Sequence, residues 1–517
     1  MGCGLLPKGT FGACGSPPCA LPGISPLVGY DMHTSLLKGL PDSDSVGLGL
    51  FLGGDDGFGA GSVWRSSAGK RGVFLLDRLL QVGGRGVRVR RLGGNRAGEM
   101  RITRFLRNAC VTVEEMVAEA AARTAERCIG RDILAIQDTT VLRSNGGGGD
   151  YLHAVVALDA ADGAILGLVD GCFLQRSGGR KGQRTTLPIE EKESFRWLQG
   201  ADQAASVCAG ARRITVIADR EGDIYEAFAL RPDGVDLLVR AAQDRSLEDG
   251  YLQGGDPAGG HQGGGGRLFE ALDALPEAGQ ADLDLPAKPG HRRRTAKLAV
   301  RFATLALTRP KGGVRAGLPD AVEMQLVDVR EVSPPAGVAA IHWRLLTTCK
   351  VCDAAQAFAI VDLYRKRWAI EQLFRTLKTQ GFDIEGVRIE DPQPRDKLVT
   401  AALIAAVCVQ QLVHGRDGAQ GRTPGAQQAP LRPCTDVFAP EDMALVEAYC
   451  QGLEGKTERQ KNPHPKGSLA YGAWVCARLG GWNGYYGKPG PVVMLHGWLE
   501  IQAAKRAINT IGYKHDV

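Results

Sequence analysis

At 517 residues, with 44% hydrophobic and 23% charged side chains, the chain holds enough core material for roughly three globular domains. Its net charge of +6 is too mild to name a polyanionic partner by itself. Its thirteen cysteines are odd in number and follow no repeating frame, which argues against a disulfide scaffold and for reduced thiols in a cytoplasmic setting.

Seventy glycines, close to double the usual ~7%, concentrate near the N-terminus and in one internal run. Residues 1–75 are rich in Gly and Pro and show neither helical nor alternating periodicity, so little compact structure is expected there. Eight arginines between Arg85 and Arg107 form a first basic patch, and HRRRTAK from His291 to Lys297 forms a second. Residues 76–130 read as a helical segment. Within it, ITRFLRNACVTVEEMVAEAAARTAERC splits into two helices, the second opened by a capping box of Thr112 and Glu115.

The run ILAIQDTT then reads as a buried strand that ends on Asp138. A hairpin follows, turning at Ala161, Asp162 and Gly163. KESFRWLQGADQAASVC is helical, and ITVIADREGD is a second apolar strand ending in acid. Segments 131–225 and 350–415 are therefore expected to share one mixed α/β core whose carboxyl edge carries a site. Between them, TAKLAVRFATLAL, EMQLVDVRE and IHWRLLTT alternate in the manner of strands, so residues 226–349 are expected to form an inserted antiparallel β subdomain, with a Gly-rich loop from Gly254 to Gly266.

A long helix is expected from an Asp353 cap to Gly381, with an apolar stripe of Ile360, Leu363, Ile370, Phe374 and Leu377. On it Tyr364, Arg367, Glu371 and Lys378 stand at offsets that fall within an arc of about 60° on an unbroken helix. One carboxylate ringed by cations on a single face suits a metal and a phosphate backbone. The apolar run Leu398 to Val413 is shorter than the ~20 residues needed to span a bilayer and reads as a buried helix. The lone CxxC of Cys349 and Cys352 lacks a second pair and reads as structurally bland. Residues 416–433 look like a linker, and 434–517 like a small helical domain. No charged start followed by an apolar core and a small-residue cleavage site is seen at the N-terminus.

Three acids separated along the chain, Asp138, Asp219 and Glu371, have the oxygen chemistry to hold two magnesium ions for phosphodiester cleavage. Spacing cannot choose Asp219 over its neighbours Glu221 and Asp223 in DREGD. Asp219 is taken because it directly follows ITVIA.

The helix motif Y-x2-R-x3-E-x6-K, with DREGDIYE upstream and IQDTT before it, resembles the cut-and-paste DDE transposases of insertion-sequence family four. The similarity runs from about Gly93 to Ile508 and includes KESFRWL and, at the far end, SLAYGAWVCARLGGW. It implies an α/β, ribonuclease H-like mixed sheet flanked by helices, a β insertion before the catalytic Glu, and a C-terminal dimerisation domain. Asp138, Asp219 and Glu371 would be the catalytic metal ligands, for Mg2+ with Mn2+ as substitute. Tyr364, Arg367, Lys378 and Arg375 would contact DNA, Trp343 would stack on a flipped base, and Arg240 is a weaker match to a DNA contact. Trp368 either serves the active face or closes the helix–sheet seam.

The implied partners are double-stranded DNA at transposon ends and target, and a second copy of the chain, in a bacterial nucleoid. Residues 1–75 do not resemble the family's compact end-recognition domain. They are expected to be a mis-assigned start or a shifted reading frame, which leaves a transposase-derived DNA-binding protein as the alternative reading.

Overall fold

The protein is described by a computed structural model that covers residues 86–145, 148–176, 187–248, 253–254, 266–285, 293–311, 317–418, 431–485 and 487–512, with short pieces of 71–79. The expectations for residues 1–70, for most of the Gly254–Gly266 loop, for His291 and for the greater part of the 416–433 linker lie outside the described residues.

A short helix, Val89–Gly93, leads into two longer ones, α1 (Arg96–Leu106) and α2 (Val113–Cys128). Thr112 and Glu115 form the expected reciprocal capping box on α2, which satisfies two donors that the first turn would otherwise strand. Strands β1 (Asp132–Asn145), β2 (Gly148–Asp159) and β3 (Ile165–Arg176) form an antiparallel meander, and Gly163 supplies the positive φ of 75° at the turn. After α3 (Phe195–Val207), strands β4 (Arg213–Ala218) and β5 (Val235–Arg240) add in parallel beside β1.

Strands β6 (Gly279–Leu285), β7 (Arg294–Thr308), β8 (Ala321–Val332) and β9 (His342–Thr347) follow. They do not stand apart as a second sheet: β9 pairs antiparallel with β5, β8 with β9, and β7 with β8. Among the described residues all strands belong to one ten-stranded mixed sheet, whose tenth member, the two-residue strand Gln253–Gly254, pairs β7, with β6 also pairing β7 off the main path. Strand β5 falls within the 226–349 range read as insertion, yet its parallel pairing with β4 makes it part of the central sheet. Parallel neighbours need a crossover, and the short helix Tyr225–Ala229 between β4 and β5 provides it.

Helices α4 (Ala354–Arg365) and α5 (Trp368–Leu377) replace the single helix expected to Gly381. Asp353 caps α4 as expected, accepting from Gln356 N–H. The break comes at Lys366 and Arg367, where the amides of Lys366, Arg367, Ala369 and Ile370 all bond three residues back instead of four. Such a tightened turn rotates everything after it relative to what precedes it. The 60° arc of an unbroken helix is therefore not preserved. Lys366 fastens the joint by donating from Nζ to Ala160 O in the β2–β3 turn.

Helix α6 (Pro392–Gly415) contains the Leu398–Val413 run. It is long and apolar enough to cross a membrane, yet 94% of that stretch is buried inside the fold. It packs on β3 and α5, and α8 (Leu469–Leu479) and α9 (Pro491–Gly512) pack on it in turn, while α7 (Met443–Leu453) packs on α8 and α9. One apolar core lies on this side of the sheet, joining Leu134, Ile136, Ile217, Leu238 and Leu345 to Tyr364, Ile370, Leu373 and the α6 and α8 side chains. A second lies on the α3 side and takes Ile133, Ala135, Val216, Ala218 and Trp197.

Candidate active site

Strand alternation assembles the site. Residues i and i+2 share a face, so the buried pairs' partners follow from the core: Ile136 carries Asp138 to the α5 side, Ile217 carries Asp219, Leu238 carries Arg240, and Leu345 carries Trp343. Asp138 does not end its strand as expected, because antiparallel pairing with β2 carries β1 on to Asn145. What ends near it is the parallel ladder with β4, whose last register pair is Ile136 with Ile217. Asp138 and Asp219 both lie just past that point. There the parallel strands part and leave room for α5 to bring in Glu371.

The three acids meet on one guanidinium. Arg367 donates from Nη1 to Asp138 Oδ2 at 3.1 Å and from Nη2 to Glu371 Oε1 at 2.6 Å, and Asp219 Oδ2 is 3.8 Å from the same Nη2. Two of the carboxylates thus touch one nitrogen, and their oxygens can be no farther apart than the two lengths combined. Arg367 is nearly buried, with 7% of its side chain exposed, while the acids retain 25% to 33%. Its Nε is buried without a hydrogen-bond partner among the described residues.

A carboxylate at the edge of a core feels burial first and its charged neighbours second. Burial pushes the Asp138 carboxyl up to about 6; Arg367 and the Thr139 amide oppose the shift, and Asp219 and Glu371 add to it. The Arg367 guanidinium loses through burial but is held charged by Tyr364, Asp219, Asp138 and Glu371, and its pKa is raised overall.

Tyr364 and Arg367, expected at the DNA, face inward. Tyr364 is 2% exposed, and its hydroxyl donates to Asp219 Oδ1 at 3.0 Å. Burial raises its pKa, with Asp219 reinforcing the shift. Trp343 lies 6.1 Å, ring to ring, from Tyr364 and is partly buried against the same core. Arg240 donates to His342 O at 3.2 Å and reaches within 3.9 Å of Asp219 Oδ1. Lys378 sits at the C-cap of α5 and pairs with Glu385 at 2.9 Å, so the structure does not bring it to the acids. Arg375 and Trp368 are on the exposed side, Trp368 at 41%.

The structure also sorts the acids of DREGD. Glu221 accepts from Arg196 Nη2 at 2.8 Å. Asp223 is a structural anchor: its carboxylate accepts from the Ala242 and Gln243 amides at 2.8 Å each and from Arg245 at 2.9 and 2.6 Å. Between them, a Cβ on Gly222 would stand 2.5 Å from the Ala218 Cβ, so only glycine lets the turn fold back on its strand.

Three carboxylates suit a hard divalent ion, which prefers a few oxygen ligands and keeps its waters. Among the described residues, no group of three or more acids, His or Cys stands in a ready metal-holding arrangement, because Arg367 lies between the acids. The donor chemistry fits magnesium, and the guanidinium shows that the acids can share one cation.

Residues 203–408 match the Transposase DDE domain family. The match covers less than half of the 517 residues; it includes Asp219, Glu371 and the α4–α5 joint, and begins after Asp138. It supports a DDE transposase, with DNA as the substrate such a domain acts on.

Sequence reasoning passed over Arg196, Thr139 and His153. Arg196 lay inside KESFRWL, a segment noted for its resemblance and not for its chemistry.

Proposed function

We propose that this protein is a DNA transposase that cleaves phosphodiester bonds at transposon ends and joins them to target DNA, in the cut-and-paste manner, as a homodimer in the bacterial cytoplasm. The observation that carries the reading is the convergence of Asp138, Asp219 and Glu371 on a single cation, in a chain that matches the transposase DDE domain.

In this reading Asp138, Asp219 and Glu371 hold Mg2+, with Mn2+ as substitute. When bound, the metal supplies an activated water and offsets charge on the leaving oxygen. The chain's own residues supply the rest. Tyr364 orients Asp219 through its hydroxyl, and Arg367 balances the acids while they are crowded together. Trp343, partly open and next to Tyr364, offers a π-face to a displaced base. Exposed Arg88, Arg90, Arg91, Arg96, Arg101, Arg104 and Arg107 give α1 and its approach a basic surface for phosphates. Helices α7 to α9 are the proposed dimerisation unit.

The test is cleavage by purified full-length protein of DNA carrying the ends that flank its gene, with Mg2+ present. Asp138→Ala, Asp219→Ala and Glu371→Ala are each expected to abolish strand cleavage and leave DNA binding largely intact. Retained cleavage by any of the three would reject the assignment of that acid. A wild type that binds these ends and never cuts them would favour the DNA-binding alternative.

A further inference from the structure

Asp138 and Asp219 project from one face of the sheet, and the residues that flank Asp138 project from the other. Gln137 and Thr139, flanking Asp138, point toward α3. There they enter a hydrogen-bonded chain that is buried at Gln137 and His153 and reaches the surface at Glu221, whose side chain is 63% exposed. Arg196, with 5% of its side chain exposed, donates from Nε to Thr139 Oγ1 at 3.2 Å, from Nη1 to Glu193 O at 2.8 Å and from Nη2 to Glu221 Oε2 at 2.8 Å. Glu193 also pairs with it at 3.1 Å, and its guanidinium lies 5.1 Å from the Trp197 ring.

Proton directions along this chain are fixed. Gln137 donates from Nε2 to Trp197 O at 3.2 Å, which leaves Oε1 as an acceptor facing His153 Nε2, also at 3.2 Å. His153 Nε2 must therefore carry the proton, and Nδ1 accepts from Thr139 Oγ1 at 2.9 Å. Burial keeps the ring neutral, its pKa pushed down to about 3 with Arg196 adding to the effect. Thr139 has then spent its proton on His153 and can only accept from Arg196. Even the helix spacing serves this chain, since a Cβ on Gly200 would stand 2.4 Å from Gln137 Oε1.

Arg196 consequently grips two points: Thr139, one residue past Asp138, and Glu221, two residues past Asp219. We propose that Arg196 is a positioning residue that sets the separation of Asp138 and Asp219 from the opposite face of the sheet by tying Thr139 to Glu221. This rests on the transposase reading above. Arg196 makes no hydrogen bond or ion pair with Asp138, Asp219 or Glu371. It acts through the backbone of β1 and of the turn that follows β4, and partners beyond the ligands commonly change metal affinity or activity by about 10- to 100-fold when removed.

The experiment is Mn2+ titration calorimetry on the full chain, together with kcat and KM for cleavage of end DNA and thermal unfolding. Arg196→Gln is expected to weaken Mn2+ binding about tenfold or more and to lower kcat with KM for DNA within about twofold, while unfolding stays cooperative. Thr139→Val, which removes only the shared hydroxyl, should shift Mn2+ affinity in the same direction by less, and Arg196→Lys should recover part of it. Mn2+ affinity equal to wild type in both Arg196→Gln and Thr139→Val would overturn the proposal, as would a loss of Tm with unchanged Mn2+ affinity of the folded protein. If the wild type titrates no differently from Glu371→Ala, the metal assignment itself fails and takes this proposal with it. If wild type and Glu371→Ala differ while Arg196→Gln matches wild type, only the positioning role fails.

Discussion

Arg245 and Arg367 are two of the arginines that face carboxylates from within this fold, and they do so differently. Arg245 meets one acid, Asp223, whose side chain is fully buried and whose oxygens also accept from the Ala242 and Gln243 amides. Arg367 meets three acids, each one quarter to one third exposed, and keeps a buried Nε without a partner. One cation for one acid, with every lone pair engaged, is how a fold fixes a loop. Three acids against Arg367, with Arg240 no nearer than 3.9 Å to Asp219, leave excess negative charge at a partly open edge, and that arrangement favours binding a further cation over holding structure together. The two clusters lie on the same DREGD turn, so the proposed chemistry and the anchoring fall to residues four apart, Asp219 and Asp223.

Several substitutions test this division, beginning with the largest effect. Glu371→Gln should lower end cleavage on the order of 10³-fold or more and leave the urea midpoint near wild type or above it. A large drop in stability would place Glu371 with Asp223 as a structural acid. Asp223→Ala strands a buried guanidinium and is expected to cost about 3–5 kcal/mol of folding stability, read by urea denaturation. If it unfolds like wild type, the anchoring role is wrong.

Asp138 should behave in the opposite sense. Its folded-state pKa, raised to about 6, lies above the ordinary carboxyl value, so the ionised form is disfavoured by folding. The penalty is absent below about pH 4, grows between pH 4 and 6, and is complete above that. In chelator, Asp138→Asn should therefore stabilise the protein by about 2–3 kcal/mol at pH 8 and by nearly nothing at pH 4. A loss of stability at pH 8 would contradict the account of Asp138 as a carboxylate disfavoured first by burial and then by Asp219 and Glu371.

How much of this was legible in the sequence follows the range of the interactions involved. The α2 capping box and the Asp353 cap were readable because they join residues three apart. The parity that puts Asp138 and Asp219 on one face was readable from their apolar neighbours. Asp138's place within β1 was not, because the strand is prolonged by pairing with β2, a contact made across the hairpin. Nor was the joint at Lys366 and Arg367, which contains neither Gly nor Pro and is held by Ala160 O and the acids. Because of that joint Tyr364 and Arg367 turn inward while Lys378 goes to Glu385. Arg196 escaped notice since Thr139 and Glu221, the partners that link it to the site, come from separate parts of the chain.

Lys378→Ala should have the smallest effect. Its pair with the half-exposed Glu385 is worth within about 1 kcal/mol, so stability barely changes. If Lys378 exchanges Glu385 for a phosphate, the salt dependence of DNA binding should fall by about one unit of slope. An unchanged slope would leave Lys378 as the surface partner of Glu385 alone.

The most direct measurement is anomalous diffraction from crystals of the full chain soaked in Mn2+. The account predicts manganese peaks in contact with the carboxylates of Asp138, Asp219 and Glu371, with the Arg367 guanidinium withdrawn from at least one of them. Manganese bound elsewhere on the protein, with Arg367 still bridging all three acids, would contradict it.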